Sequence, residues 1–349
     1  MGVKINELIK DSKKIITFEN LFGKKIAIDA FNSLYQFLAI IRQRDGSSLK
    51  DYQGNITSHL SGLFYRTINF LEGNIFPIYV FDGIPSSLKL KVIKERKERK
   101  LEAKAKMEEA QLKGDLIEAR KFAQATSKLD EKMIEDSKTL LNYLGVPVVQ
   151  APSEGEAQIA YMVNKGDVWA SASQDYDTLL FGAKRLLRNY AVSRSRKVGD
   201  TSITLDIEWI LLSKLLENLD LTQEQLVEMG ILIGTDFYEG ISGVGQKTAY
   251  NLIKKYKSIK RINASNVTVR GKLVELDLDL VENVKDIFLN PLAVAVVMPH
   301  YFASQNFDKI EDFLINKHNF SSSRVKNAFE RLKKIEAASK QTSLEQFFK

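Results

Sequence analysis

Acidic residues stand at the ends of apolar, strand-like or helical runs in several separate parts of this chain. Five stretches carry them: KKIAIDA, PIYVFDG, APSEGEAQ, ASASQDYD and ILIGTDF. If these runs lie side by side, their ends meet on one rim of a sheet, because parallel strands place ligands at their carboxyl ends. The acids concerned are Asp29, Asp82, Glu154, Glu156, Asp175, Asp177 and Asp236.

Seven carboxylates cannot stay charged side by side without compensation, because each negative charge raises the pKa of its neighbours. Divalent cations that prefer oxygen ligands resolve this conflict. Two such ions about 3.5–4 Å apart can hold both the attacking and the leaving oxygen of a phosphoryl displacement. The acids therefore indicate a two-metal centre. Seven carboxylates are more than two ions bind directly. We therefore expect some of them to bind the ions through water or to orient the carboxylates that do bind.

Some of these acids also have simpler explanations. Asp29 precedes a helical pattern and can cap that helix, and Ser153 followed by Glu156 fits a capping box. Asp175 and Asp177 share a face if the chain is extended there, whereas the spacing means little in a turn. The argument for a shared site rests on recurrence, because five independent stretches show the same feature.

Composition limits the chemistry open to this chain. Its 349 residues include no Cys and 3 His, which excludes thiolate metal sites, disulfides and thiol nucleophiles. The formal charge of +7 already contains the clustered acids, so the remaining surface is more basic still and favours a polyanionic partner. A lysine-rich surface that serves solubility is the alternative. The first residues do not read as a signal peptide, and no apolar run reaches the roughly 18 residues of a membrane span.

The texture of the sequence divides the chain into five parts. Residues 1–83 and 136–215 alternate helix and strand patterns, which predicts two pieces of one α/β domain with a largely parallel sheet. Residues 84–135 are rich in Lys and Glu, which predicts long exposed helices. Residues 216–335 are mostly helical, and residues 336–349 form a polar tail that we expect to be flexible.

Periodicity predicts the individual elements. Predicted helices cover 3–11, 31–43, 56–73, 130–144 and 154–165. Predicted strands cover 24–29, 76–81, 146–150 and 167–172, with a strand or turn at 177–181, a hairpin across 186–205, and mostly helix from Asp206 onward. The pattern of residues 261–300 does not distinguish between helix and strand.

A basic stretch follows Asp82 by only a few residues. Lys89 and Arg96 are seven positions apart in it, so they share a face if the stretch is helical. Two cations beside a metal centre can neutralise a phosphate in its transition state, with Arg suited to bidentate contact and Lys to a point charge. A solvated charged helix is the alternative explanation.

The segment GISGVGQKTAYNLIKKY places Gly243 and Gly245 directly before an amphipathic helix. Glycines let a backbone approach closely, and a helix N-terminus offers free N–H groups to a phosphate, with Lys247 adding charge. Gln246 breaks the spacing of a nucleotide-binding P-loop, so we reject ATP binding. The pattern favours a helix-hairpin-helix grip on a DNA backbone. An ordinary turn before a capped helix is the alternative.

Taken together, six segments closely resemble the flap endonuclease family, the structure-specific 5′ nucleases of DNA replication and repair. They run in family order over about residues 1–256, whereas residues 261–335 resemble the family only loosely. The segments are IAIDAFNSLYQFL, SHLSGLFYRTI, YVFDGIPSSLK, APSEGEAQIAYM, SQDYDTLLFG and ILIGTDFYEGISGVGQKTA.

The resemblance implies roles for particular residues. All seven acids fall on the family's metal-site positions, and Lys89 and Arg96 match the basic pair at the base of the family's helical arch. Gly155 and Gln174 depart mildly from the family pattern, and we expect neither to touch a ligand. The remaining matches place four residues at the DNA near the active site: Gly2, Tyr35, Arg42 and Arg66.

The fold implied is a twisted, mostly parallel sheet flanked by helices, with a helical arch over about 84–135 and a helix-hairpin-helix region that grips duplex DNA. The implied activity is cleavage of 5′ flaps at single-strand to duplex junctions, with 5′-3′ exonuclease activity. It uses two Mg²⁺, for which Mn²⁺ substitutes, and K⁺ binds at the helix-hairpin-helix. The resemblance also implies a monomer when free, with no membrane partner. The short end of the chain looks archaeal, hence cytoplasmic and nucleoid-associated, or nuclear if the chain is eukaryotic.

The last residues, QTSLEQFF, match the pattern of peptides that bind sliding clamps. In a helical turn the aliphatic and the two aromatic side chains share a face and can fill one pocket. Packing of the aromatic rings onto the body of the protein is the alternative. The motif consists of Gln341, Leu344, Phe347 and Phe348.

Two other functions remain open on the sequence. One is a relative within the same superfamily, such as a junction resolvase or an excision-repair nuclease, against which the arch length and the tail argue. The other is a non-catalytic DNA-binding adaptor, against which the unbroken set of acids argues. Cleavage of flap, bubble, nick and four-way junction substrates separates all three.

Overall fold

A seven-stranded sheet lies at the centre of the protein, in the strand order β1-β9-β6-β5-β2-β3-β4. This computed structural model describes residues 2–43, 45–89, 129–190, 195–198, 201–204, 206–298 and 303–347, the helix beyond residue 334 as backbone only. The strands are Lys13–Ile16 (β1), Lys25–Asp29 (β2), Phe76–Phe81 (β3), Val148–Gln150 (β4), Ala170–Ala172 (β5), Arg185–Arg188 (β6), Ser195–Val198 (β7), Thr201–Thr204 (β8), Ile207–Leu211 (β9), Thr268–Val269 (β10) and Lys272–Leu273 (β11).

Five strands of this sheet, β2 to β6, run parallel, whereas β9 pairs antiparallel with both β6 and β1. The two central strands β2 and β3 are buried almost throughout. Their near-continuous apolar sequences are typical of parallel strands covered on both faces. The predicted α/β fold with a mostly parallel sheet is therefore confirmed.

Helices cover both faces of the sheet, and the later helices form a further core among themselves. They are Ala30–Ile40 (α1), Ser58–Glu72 (α2), Glu131–Tyr143 (α3), Gly155–Lys165 (α4), Asp177–Leu180 (α5), Leu212–Leu219 (α6), Gln223–Ile233 (α7), Gln246–Tyr256 (α8), Ile259–Ala264 (α9), Leu278–Leu289 (α10), Phe307–Glu311 (α11) and Ser322–Phe347 (α12). Short 3₁₀ turns span Lys10–Ser12 and Phe18–Leu21, and a π-helical turn spans Asp312–Lys317.

Three apolar cores hold these layers together. On one face, α1, α2, α3 and the first part of α12 pack on the sheet around buried Phe64 and Tyr79. On the other face, α4 packs through Met162 against Ile78. The third core lies among α5 to α10 and includes Leu226. The sheet is thus held rigidly from both sides, while the rim at the carboxyl ends of the parallel strands carries the acids.

Several sequence-based predictions of local structure are wrong. Residues 3–11 do not form a helix: apart from the 3₁₀ turn at Lys10–Ser12, they form turns and irregular backbone. Buried Val3 and Ile5 reach the helical core there, so tertiary packing overrides the local amphipathic pattern. The predicted strand or turn at 177–181 is the short helix α5.

The region from 186 to 211 also differs from its prediction. The hairpin consists of β7 and β8, whereas β6 belongs to the main sheet. The predicted change to helix at Asp206 comes too early, because β9 pairs along its length with β6 and with β1. A short apolar run such as IEWIL does not distinguish strand from helix by periodicity, and here the two neighbouring strands decide.

The backbone at the end of the chain is helical as far as Phe347, although the sequence predicted a flexible tail from residue 336. Its residues include good helix formers such as Lys, Ala, Glu and Gln, which favour continuation of the helix. Within the described ranges, no helix combines the length and apolarity that a membrane crossing requires.

Candidate metal centre

The carboxyl ends of three parallel strands deliver three of the predicted acids to one rim. Asp29 is the last residue of β2, Asp82 directly follows β3, and Asp175 follows β5 by three residues. The strands β5, β2 and β3 are consecutive neighbours in the sheet. The prediction that the acid-bearing runs converge is confirmed for these strands.

Asp29 caps a helix and also lies in the acid cluster. Its side chain caps α1 by accepting a 2.9 Å hydrogen bond from the backbone N–H of Asn32, and it is buried beside other acids. Burial, and then the charge of Asp82, raise the pKa of Asp29 to about 8. Capping and membership of the acid cluster are therefore compatible.

The start of α4 brings Glu154 and Gly155 against Asp82. The N–H of Gly155 donates a 2.7 Å hydrogen bond to Oδ1 of Asp82, and a Cβ added at Gly155 would lie 2.7 Å from that oxygen. The expectation that Gly155 touches no ligand is therefore wrong. Glycine at this position lets the helix N-terminus approach the carboxylate closely, where its N–H groups favour negative charge.

Glu156 does not form the predicted capping box. No side chain caps α4 at its N-cap residue Glu154, and Glu156 instead accepts 3.2 Å hydrogen bonds from the hydroxyls of Ser173 and Thr178. Burial, and then the charge of Asp177, raise the pKa of Glu156 well above its usual value. Its side chain thus belongs to the acid cluster.

Asp175 and Asp177 are brought together by a turn and not by a strand. Asp177 begins α5 and is buried, with Oδ1 accepting a 2.6 Å hydrogen bond from the N–H of Val3. Burial, followed by the charge of Asp236, raises the pKa of Asp177 to about 7. A Cβ added at Gly2 would lie 2.7 Å from Asp177 and 2.8 Å from Asp175, so the chain's first residues line this site.

Lys89 supplies a positive charge among the acids. Its ammonium forms an ion pair with Glu154 and lies 3.8 Å from Oδ2 of Asp82. Although burial lowers it, the charges of Asp82 and Glu154 raise the pKa of Lys89 overall. Burial raises the pKa of Glu154, which the charge of Lys89 partly offsets. Lys89 therefore stays protonated and neutralises part of the cluster.

The donor chemistry of the cluster fits a hard divalent cation, because every acid offers carboxylate oxygens. One oxygen, Oε1 of Glu154, is buried without a hydrogen-bond partner. In the described part of the chain, however, no three carboxylates or imidazoles already converge at ligand distances. The acids are turned instead toward Lys89, backbone N–H groups and hydroxyls. A cation held by these carboxylates would replace some of these contacts.

Comparison with known proteins agrees with this geometry. Models of the XPG N-terminal domain and the XPG I-region match residues 1–103 and 145–236. A flap endonuclease 1 from Pyrococcus abyssi is 49% identical, over 100% of this chain and 98% of its own length, and the one from Saccharolobus solfataricus is 45% identical over 98% and 99%. This chain belongs to the flap endonuclease family.

Solved structures agree with that assignment. The flap endonuclease-1 structure from Methanococcus jannaschii matches with a TM-score of 0.74 and 40% identity, over 97% of this chain and 100% of that one. The catalytic core of Rad2 in complex with DNA substrate matches with a TM-score of 0.72 and 21% identity, over 95% and 100%. At that identity, the Rad2 structure supports the fold alone.

The residues of this chain that were predicted to contact DNA near the active site differ in how close they lie to the acid cluster. Tyr35 on α1 is 37% exposed. Burial, with the charge of nearby Asp82 as a smaller cause, raises the pKa of its hydroxyl, which places Tyr35 at the edge of the cluster. Arg42 donates a 2.9 Å hydrogen bond to the carbonyl of Gly46, which holds the loop after α1.

Arg66 lies behind the acids. It is half-buried on α2. Burial lowers the pKa of its guanidinium, and the nearby hydroxyls of Tyr79 and Tyr190 partly offset that shift. The hydroxyl of Tyr190 is 3.1 Å from that of Ser33, which donates to the backbone carbonyl of Asp29. Arg66 is thus linked to the cluster indirectly.

The predicted helix-hairpin-helix glycines lie in the turn between α7 and α8. Gly243 has a positive φ of 85°, which favours glycine, and Gly245 is the N-cap of α8, with no atom within 4 Å of an added Cβ. Lys247 is exposed and forms a 2.9 Å ion pair with Glu7. The turn is therefore open to a partner and anchored to the N-terminal segment.

Some predicted flap endonuclease residues fall outside the described part of the chain. Arg96 lies in 90–128, which contains most of the predicted arch, and Phe348 lies beyond the last described residue. Gln341, Leu344 and Phe347 lie on the backbone of α12, and their side chains are not described. Their roles stay predictions.

Sequence reasoning missed several side chains that contact the acids. Asn32 donates to Asp175, and Ser173 and Thr178 donate to Glu156. Arg188 contacts the turn that carries Asp175 and Asp177. The signal available for Asn32 and Thr178 is their position, three residues after Asp29 and one after Asp177; Arg188 comes from a strand with no such signal.

Proposed function

We propose that this protein is a structure-specific 5′ flap endonuclease, with 5′-3′ exonuclease activity, that acts in DNA replication and repair. The observation that carries the proposal is the convergence of acids from β2, β3, α4, the turn after β5 and the turn after α7, with Lys89 among them. Family membership makes hydrolysis of a DNA phosphodiester the natural use of such a site.

We propose Mg²⁺ as the cation, two per site, with Mn²⁺ as a substitute. When bound, two divalent cations stabilise the attacking and the leaving oxygen of phosphodiester hydrolysis. The acid cluster would hold them, and the raised pKa values of Asp29 and Asp177 support a site that needs positive charge. K⁺ at the turn of Gly243 and Gly245 is part of the proposal, supported by the open space at Gly245, where no atom lies within 4 Å of an added Cβ.

Lys89 has the position of a catalytic cation in this proposal. Its ammonium pairs with Glu154, and transfer of this contact to a phosphate oxygen would neutralise charge in the transition state. Tyr35 would stack on a base at the edge of the cluster, and the exposure of part of its side chain supports this role. Arg96 would join Lys89 from the arch.

The proposed macromolecular partners are branched DNA with a 5′ flap and a sliding clamp. The DNA would pass the acid rim and rest on the turn between α7 and α8. The clamp would bind Gln341, Leu344, Phe347 and Phe348, which on a helical backbone share a face. We propose a monomer when free. The archaeal relatives support a cytoplasmic, nucleoid-associated location.

A panel of 5′-labelled flap, bubble, nick and four-way junction substrates tests the proposal. We expect Mg²⁺-dependent cleavage of the flap near the junction, faster than cleavage of the other substrates, and loss of cleavage in EDTA. Preferred cleavage of the four-way junction or of the bubble would identify a resolvase or an excision-repair nuclease instead. Binding of the flap without cleavage in Mg²⁺ or Mn²⁺ would identify an adaptor.

A further inference from the structure

The acids Asp175 and Asp177 stand on a turn that has no regular hydrogen-bonding pattern of its own. Residues 174–176 form a bend between the end of β5 and the start of α5. Two neighbouring carboxylates repel each other, so the backbone that carries them needs contacts from outside to keep one conformation. The peptide groups of Gln174 receive such contacts from two sides.

Asn32 holds the turn from α1. Its side-chain carbonyl accepts a 3.3 Å hydrogen bond from the N–H of Gln174, and its side-chain amide donates a 2.8 Å hydrogen bond to Oδ2 of Asp175. Its own backbone N–H donates to Asp29. One residue thus orients two acids that come from different elements, β2 and the turn after β5.

Arg188 holds the same turn from the end of β6. Its Nε donates a 3.0 Å hydrogen bond to the carbonyl of Gln174, and its Nη1 donates to the hydroxyl of Tyr176. Its guanidinium carbon lies 4.0 Å from the centre of the Tyr176 ring. Tyr176 separates the two acids in sequence, so this contact fixes the direction in which both leave the backbone.

Arg188 is itself held in place by the antiparallel strands. Its Nη1 donates a 3.0 Å hydrogen bond to Oε2 of Glu208 on β9, and Oε1 of Glu208 accepts a 2.6 Å hydrogen bond from Lys13 on β1. The guanidinium is therefore fixed on both sides, and none of these contacts is to an acid of the cluster. Its effect on the cluster passes through the turn.

We propose that Asn32 and Arg188 are positioning residues for the cation site: together they hold the turn at Gln174 at the rim, so that Asp175 and Asp177 stay within the acid cluster that would hold the cation. Supporting residues of this kind orient metal ligands, and their loss typically weakens metal binding by about 10- to 100-fold. This inference deepens the proposed function and rests on it, because it assumes that the acid cluster binds divalent cations.

The test measures Mn²⁺ binding by titration calorimetry without DNA, on the full chain carrying Asn32→Ala or Arg188→Lys. Lysine keeps the positive charge but cannot donate from two nitrogens of a rigid fork. We expect affinity for Mn²⁺ to fall by about 10-fold or more in each variant, with the melting temperature in EDTA changed little. The dependence of flap cleavage on Mg²⁺ should shift to higher concentrations, with the rate recovering at saturating Mg²⁺.

Two substitutions away from the site serve as matched controls. Asn218→Ala removes a partly buried amide that donates to Asp11 and Ser12, and Arg185→Lys alters the other arginine of β6, which donates to the Trp169 carbonyl. Both controls should bind Mn²⁺ as the unaltered protein does. If Arg188→Lys does not fold, Tyr176→Phe removes the hydroxyl that Arg188 contacts and should weaken Mn²⁺ binding several-fold.

The outcomes separate this inference from the proposed function. Unaltered Mn²⁺ affinity in Asn32→Ala and Arg188→Lys, or an equal loss in the controls, would overturn the positioning role alone. A cleavage rate that stays low at saturating Mg²⁺ would also overturn it, because a positioning defect for the cation is compensated by mass action. Absence of Mn²⁺ binding by the unaltered protein would overturn the cation site itself.

Discussion

Without divalent cations, the stability of this protein is expected to fall as the pH rises above neutrality. Burial, with neighbouring carboxylates as the next cause, raises the pKa of Asp29 to about 8 and that of Asp177 to about 7. In the unfolded chain these carboxyl groups have a pKa of about 3.9. Folding therefore raises their proton affinity. The resulting stabilisation is lost as the pH rises through the folded-state pKa values.

The window from pH 6.5 to pH 8 suits the measurement. Burial lowers the pKa values of His59 and His318. Because unfolded imidazoles take up protons mainly below about pH 6.5, these two residues add only a smaller, opposing gain in stability as the pH rises across this window. Across the window the linkage relation gives a combined loss of roughly 2 kcal/mol, with the larger part from Asp29. With about 2.1 cal/mol/K of unfolding entropy per residue, the combined loss lowers the melting temperature by about 3 °C.

The assay is thermal unfolding in EDTA at the two pH values, for the unaltered protein, Asp29→Asn and Asp220→Asn. Asparagine caps helices as well as aspartate does, so Asp29→Asn keeps α1 while removing the contribution of Asp29 to the pH dependence. Asp220 is exposed, its hydrogen bond with Lys254 lowers its pKa, and its substitution should leave the slope unchanged. Mg²⁺ should raise the melting temperature more at pH 8 than at pH 6.5.

Two results would refute this reasoning. The first is a metal-free melting temperature that stays constant or rises from pH 6.5 to pH 8. The second is an equal pH dependence in the unaltered protein and in Asp29→Asn, which would mean that Asp29 ionises in the folded state at its ordinary pKa.

Further predictions concern the cleavage reaction and the tail. Asp177→Ala should abolish flap cleavage but leave flap binding intact, since phosphate contacts elsewhere supply most of the affinity; cleavage at a near-normal rate in Mg²⁺ contradicts the two-metal proposal. Lys89→Ala should slow single-turnover cleavage by about 10²–10³-fold with a much smaller change in duplex affinity, and equal losses of rate and affinity would make Lys89 a steering charge. Phe347→Ala combined with Phe348→Ala should abolish clamp binding in a pull-down and leave clamp-free cleavage unchanged. A large drop in melting temperature in that variant would show that the rings pack on the body.

The elements that sequence predicts best are those whose local pattern and tertiary role agree. The strands β2 and β3 were predicted within one residue, because their apolar runs end in acids and are buried on both faces. α3 and α4 were predicted similarly well from periodicity and their first-turn residues. The carboxyl ends of β2 and β3 carry Asp29 and Asp82, and the start of α4 carries Glu154, so the rim of the sheet could be inferred early.

Sequence fails where a distant contact decides the conformation. Val3 donates its N–H to Asp177, 174 residues later in the chain, and this contact keeps the first residues out of the predicted helix. β9 is a strand because β6 and β1 pair with its two edges. The roles of Asn32 and Arg188 were missed for the same reason, since both depend on a turn whose position in space no local pattern reveals.

Contacts within the protein offset only part of the negative charge of the acid cluster. The cluster is therefore better suited to binding a cation than to a purely structural role. Backbone N–H groups of Asn32, Gly155 and Val3 each donate to one acid, and such bonds hold a carboxylate without removing its charge from the cluster. Lys89 adds one positive charge, shared between Glu154 and Asp82. These contacts leave the pKa values of Asp29, Glu156 and Asp177 raised, so ionising all the acids at once remains unfavourable in the metal-free protein. A cluster selected only for stability would gain from replacing such acids with neutral residues. Retaining them costs stability that a divalent cation returns on binding, and this difference is what the measurement in EDTA and Mg²⁺ detects.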